Sequence, residues 1–103
     1  MRDRYIPYMN WVDIKEKIDS GIHTVIMPMG ATEQHGRHAP LGTDSFIALE
    51  MSVRIAQIIN ALVAPSLTIG YSPQHMSFPG SMTLSVDTFR RLVSEMVESL
   101  MKH

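Results

Sequence analysis

Thr24-Val-Ile-Met-Pro-Met-Gly-Ala-Thr-Glu-Gln-His-Gly-Arg-His-Ala-Pro-Leu-Gly-Thr-Asp44 is the stretch that decides the fold of this chain. Its start is short, apolar and β-branched, which predicts a buried strand over 24–29 whose pairing Pro28 limits near the end. From Gly30 the chain turns polar and places two acids and two histidines within fifteen residues. A helix follows, opened by Asp44 and running to about Asn60. Ile47, Met51, Ile55 and Ile58 are expected on its inward face, with Glu50, Arg54 and Gln57 facing out. Ala61-Leu-Val-Ala64, stopped by Pro65, reads as a second buried strand, which Leu67 to Ile69 extend or follow. Strand, helix, strand predicts a right-handed unit with parallel strands. Ligand-facing loops then belong beyond the strands' carboxyl ends, at 30–43 and in the Ser-, Pro- and Gly-rich segment 70–80.

Upstream, Asn10 can cap a helix over Trp11 to Asp19, with Trp11, Ile14 and Ile18 at helical spacing and Gly21 just past its end. Downstream, Ser85 caps a final helix in which Phe89, Leu92, Val93, Met96, Val97, Leu100 and Met101 form a wide apolar stripe. No repeat, low-complexity tract or linker interrupts the chain, so it is one unit or part of one.

At 103 residues the chain forms one domain at most. With 45% hydrophobic and 18% charged residues it has the composition of an ordinary globular protein. A formal net charge of −1 supplies no basic footprint for nucleic acid or an anionic membrane, so neither is expected as a partner. The absence of cysteine excludes disulfides and thiolate ligands, and any metal must be held by oxygen and nitrogen. No apolar run is long enough to span a bilayer, and Met-Arg-Asp-Arg-Tyr at the start lacks the apolar stretch of a signal peptide, so a cytoplasmic location is expected. The nine methionines are scattered and fit gap-filling positions rather than a soft-metal site.

The polar loop has the makings of a metal site. Glu33 and His35 are two apart, so in an extended segment they project to the same side with α-carbons roughly 6 to 7 Å apart. Asp44 has two carboxylate oxygens and could bridge ions about 3.5 to 4 Å apart. Read alone, Asp44 would serve equally as a helix N-cap. Gly30, Gly36 and Gly42 are expected to supply the turns that aim these groups.

The segment from Met27 to Asp44 resembles the signature of the creatininase (creatinine amidohydrolase) family, and Phe78-Pro-Gly-Ser-Met-Thr83 resembles a second motif of that family. The resemblance implies a three-layer α/β/α fold with a mainly parallel sheet, two divalent metal ions (zinc, manganese or iron), and hydrolysis of a non-peptide amide by metal-activated water. Carried over by position, Glu33 matches the ligand of one metal, His35 the ligand of the other, and Asp44 the bridging carboxylate. No catalytic acid or base is assigned in this chain. His38 lies within the signature and is read as orienting a ligand or meeting substrate. His75, on the second loop, either contacts substrate or a neighbouring subunit or is an exposed loop histidine. Arg37 either binds an anionic substrate group or is a solvated charge. His23 and His103 are structural or incidental.

Those three ligands supply about four bonds to two ions that each want at least three protein ligands. In the family the set is completed by a His in an Asn-Gly-His type motif and by a later Glu, neither of which is present here. The expectation is therefore a single creatininase-like domain over 1–103 that is incomplete, an amino-terminal half that is a fragment, a split gene product or the product of a truncated coding region. Its partners would be a small amide substrate, cyclic or formyl, and either copies of itself in a homo-oligomer or a complementing second chain. The competing expectation is a non-catalytic or truncated creatininase-like module acting in assembly.

Overall fold

Asn10 starts the first helix, α1 (Trp11–Asp19), through a reciprocal cap. Its side chain accepts from the Asp13 N–H at 2.9 Å, while the Asp13 carboxylate accepts from the Asn10 N–H. The helix spans the residues expected of it. The computed structural model describes residues 3–103; Met1 and Arg2, part of the start read as lacking a signal peptide, lie outside the described residues.

Two strands, β1 (Val25–Ile26) and β2 (Leu62–Val63), pair in parallel, with Val25 opposite Leu62 and Ile26 opposite Val63. The helix α2 (Thr43–Ile59) connects them and ends at Asn60, whose left-handed φ of 58° stops it. Beyond the strands the pairing resumes at Met29 and Leu67, where the Leu67 N–H donates to Pro28 O at 3.0 Å and the Gly30 N–H to Leu67 O at 2.8 Å. Pro28, which has no N–H to give, therefore still takes part as an acceptor. On the other edge of β2, Tyr5 makes a parallel bridge to Val63.

Strand alternation divides the neighbours of this ribbon into two layers. Val63, with Ala61, packs on Val53 and Ala56 of α2, and Ile26 and Leu49 close around that cluster. Val25 and Leu62 face the other way, into a groove of about 1680 Å³ between α1 and the last helix, α3 (Val86–Met101). Helix, sheet, and a second pair of helices make the α/β layering expected from the sequence.

Two expectations about burial are corrected. The face of α2 turned to the sheet carries Ser45, Ser52, Val53 and Ala56, while Ile47 is 58% and Ile58 82% exposed, and Met51 and Ile55 are exposed too. Small residues win the inward positions because the helix lies close against β2. β1 is also not buried: Val25 is exposed and Ile26 half-buried, since the far edge of β1 has no neighbouring strand among the described residues. The four residues Ala61 to Ala64 are all buried, as expected. On α3, which Ser85 caps by accepting from the Thr88 N–H at 3.2 Å, no residue is fully buried.

Candidate metal centre

The carboxyl end of β1 delivers the polar loop to the first turn of α2, and there Glu33, His35 and Asp44 come together. Each offers one ligand atom, and those atoms lie within 4.8 Å of one another; all three residues are half-buried. His35 Nε2 and Asp44 Oδ2 are 3.1 Å apart, with side chains 28% and 37% exposed. Asp44 does not cap α2. Gly42 occupies that position with no side-chain cap, and Asp44 follows in the first turn, where the helix dipole favours its negative charge. Its carboxylate is therefore available to His35.

The loop is held at both ends. The Glu33 N–H donates to Leu41 O at 3.1 Å, and His35 pairs antiparallel with Ala39, so the stretch between them folds back as a small hairpin. Gly36, at φ +73°, makes the bend that a side chain would strain. Gly30 is not the turn residue expected from the sequence. Its φ is not positive, but a Cβ there would stand 2.4 Å from Ser45 Cα, so glycine is required because α2 passes so close. Ser45 Oγ donates to Ala31 O at 3.1 Å across the same contact.

The second motif binds the first. Ser81 Oγ accepts from the Gln34 N–H at 3.1 Å, and the Met82 N–H donates to Thr32 O at 2.9 Å. Together these bonds dock the loop around Phe78 to Thr83 onto the ligand-bearing segment. They bring His75, from a short 3-10 turn (Pro73–His75), to the far side of the cluster: its Nε2 lies 3.6 Å from Glu33 Oε2. Arg37 and His38 remain exposed on the hairpin, and neither joins the cluster. A cleft of about 410 Å³ opens beside Asp44, lined by Met29, Gly30, Ala31, Asp44, Ile47 and Ala48. Gln34 and Ser81 had not been singled out in the sequence. The cue for Gln34 was its place between two candidate ligands, where strand alternation sends its side chain to the opposite face.

Two carboxylates and an imidazole converging without any sulfur donor are a fitting set for a divalent ion of the zinc, manganese or iron kind. The donors are close enough together to share one ion or flank a pair, because metal–ligand bonds are about 2.0 to 2.2 Å.

Comparison with known proteins agrees with the fold. The family model described as "Creatininase: Creatinine amidohydrolase" matches residues 7–103, and the chain belongs to that family. It is 30% identical over 104 residues to the creatinine amidohydrolase of Pseudomonas putida, covering 96% of this chain and 40% of that protein. It is 33% identical over 92 residues to the mycofactocin precursor peptide peptidase of Mycolicibacterium smegmatis, covering 84% of this chain and 37% of the relative. Among solved structures, the manganese form of creatininase superposes with a TM-score of 0.89 at 30% identity, over 96% of this chain and 40% of that one. A mutant creatininase of Zn-Zn type gives 0.88 at 29% identity, with the same coverage. The chain thus spans about 40% of the length of these relatives.

Proposed function

We propose that this chain is the amino-terminal, ligand-bearing part of a metal-dependent amidohydrolase that opens a small non-peptide amide, cyclic or formyl. The convergence of Glu33, His35 and Asp44 carries this reading. In it Glu33 would hold one divalent ion, His35 the other, and Asp44 both. When bound, such ions supply Lewis acidity toward the amide carbonyl and an activated water. The chain's own residues do the rest. The two carboxylates set a negative field that draws cations to the end of β1, and the 3.1 Å between His35 Nε2 and Asp44 Oδ2 is short enough for both atoms to meet one ion. Support for divalent ions comes from the manganese and zinc forms of the similar structures. Support for amide chemistry comes from the family's creatinine amidohydrolase, which matches this chain along nearly its whole length.

The same reading makes the domain over 1–103 incomplete as an active unit, since three residues cannot furnish two ions with three protein ligands each. We place the remaining ligands on another stretch of polypeptide, either a continuation, a second copy or a complementing chain, working in the cytoplasm. Arg37 and His38, exposed on the hairpin, are proposed to meet substrate. Metal analysis combined with hydrolysis assays tests the proposal. Two ions per active unit, together with turnover of creatinine or a formyl amide that chelator abolishes and Mn²⁺ restores, would support it. Substoichiometric metal with no turnover would instead favour a family module that serves assembly alone. Cleavage of a short peptide in preference to the small amides would move the substrate toward that of the mycobacterial relative.

A further inference from the structure

The Gln34 side chain bonds in two directions that together fix where its atoms are. Its Oε1 lies 2.9 Å from the Gly36 N, and its Nε2 lies 2.9 Å from His75 Nδ1. A backbone N–H can only donate, so the Gln34 atom facing Gly36 has to be the carbonyl oxygen. The atom facing His75 is therefore the amide nitrogen, which has only hydrogens to offer. His75 Nδ1 must accept, and the ring's single proton then resides on Nε2. That nitrogen faces Glu33 Oε2 at 3.6 Å, longer than a hydrogen bond and within range of a directed electrostatic contact. The other tautomer would be repelled twice: two hydrogens would meet between Gln34 and His75, and a bare nitrogen would face the carboxylate. Both side chains of the pair are well covered, 23% exposed for His75 and 16% for Glu33, so water screens the contact less than it would on the surface.

We propose that Gln34 selects the Nε2–H tautomer of His75, and that His75 in turn holds the Glu33 carboxylate, steadying one oxygen so that the other stays directed at the metal cluster. Gln34 and His75 are thus positioning residues. The scaffold around them is built for this: Gly36 at φ +73° turns its N–H back to Gln34, and Ser81 Oγ anchors the Gln34 backbone. The use of the arrangement rests on the metal-dependent reading above, whereas its geometry does not.

The test begins with the metal-free chain. Nitrogen NMR of the histidine side chains, recorded at alkaline pH where the imidazoles are neutral, should show His75 protonated at Nε2 and bare at Nδ1. Gln34→Glu places an acceptor where the donor was and should invert that tautomer; Gln34→Ala should leave a mixture. Mn²⁺ titrations then read the consequence. Gln34→Glu and His75→Phe should weaken binding by roughly 10- to 100-fold, as loss of a partner behind a ligand typically does. His75→Gln, whose amide can still donate toward Glu33, should recover part of the affinity. An Nδ1–H tautomer in the parent chain overturns the proposal whatever the variants do. So does a Gln34→Glu chain with unchanged tautomer and unchanged Mn²⁺ affinity. A parent chain that binds no Mn²⁺, yet shows the Nε2–H form and its inversion, upholds tautomer selection and removes the metal-dependent reading instead.

Discussion

Replacing Gly30 with alanine should do more harm than any other single methyl group added to the loop. A Cβ at this position would lie 2.4 Å from Ser45 Cα and 2.5 Å from Ser45 N and Oγ, and the first two atoms belong to the backbone of α2, which cannot rotate away. Because the Gly30 φ is not positive, alanine suits the local conformation and the cost is wholly steric. Restoring ordinary contact at 3.4 Å needs a retreat of about 1 Å by the first turn of α2. Overpacking of this kind costs about 1–3 kcal/mol. Losing the Ser45 Oγ to Ala31 O bond adds about 1 kcal/mol. A total of about 2–4 kcal/mol is a large share of the 5–15 kcal/mol that ordinary domains possess. For a chain of this size it corresponds to a Tm lower by roughly 8–30 °C. The same retreat carries Asp44, the neighbour of Ser45, away from His35, so Mn²⁺ affinity should fall together with stability. Urea unfolding of the metal-free protein and Mn²⁺ titration measure the two effects. Gly42→Ala is the control, for there the new Cβ meets the Phe46 ring, at 2.9 Å from Cζ, 3.1 Å from Cε2 and 3.3 Å from Cε1, the far end of an exposed side chain that can swing aside. Its cost should stay at about 1 kcal/mol or less, that of a poorer N-cap. A Gly30→Ala chain within about 0.5 kcal/mol of the parent would place it among inconsequential surface changes and refute the close-approach reasoning.

On the proposed reading, in which Asp44 would serve both ions and Glu33 one, Asp44→Ala should remove more bound metal than Glu33→Ala; equal loss by metal analysis of the two variants would argue against the bridge. Asn10→Ala removes the side-chain half of the α1 cap, leaving the residue 10 N–H to donate to the Asp13 carboxylate, and should lower stability by about 1 kcal/mol in thermal unfolding, with metal binding unchanged. The chain alone should self-associate at micromolar concentration, since β1 has an open edge among the described residues and the outer face of α2 presents Ile47, Met51, Ile55 and Ile58. Sedimentation showing a compact monomer at that concentration would contradict this.

Local signals in the sequence located the elements well, while signals that depend on a neighbour did not. α1 begins and ends where Asn10 and Gly21 place it, and Ser85 caps α3, because capping is settled within a few residues. The inward face of α2 could not be read in this way. That helix is apolar on two sides, and what chose between them was the closeness of β2, which admits Ser52 and Ala56 and leaves the isoleucines outside. Strand β1 looked buried from its β-branched residues, yet burial of a strand depends on what lies beyond its edge. In the loop, Glu33, His35 and Asp44 were legible from spacing and resemblance, and the structure brings them together. Gln34 was not, because its importance comes from His75, a residue 41 positions away that no periodicity ties to it. Gly30 was noticed for the wrong reason: a glycine that bends the chain and a glycine that lets a helix pass look alike in one dimension.

The spacing of the cluster along the chain has a consequence for the order in which it forms. His35 and Asp44 meet across nine positions, whereas Gln34 and His75 meet across 41. Closing the longer loop costs about 1.3 kcal/mol more in chain entropy than closing the shorter one. Contacts so close in sequence form early and quickly, and distant ones wait for the intervening strand and loops to dock. The three donors can therefore gather while β2 and the second loop are still unsettled, and a cation present at that stage would act as a nucleus around which β1 and α2 are joined. Capture would come first and precision later, when His75 arrives to steady Glu33.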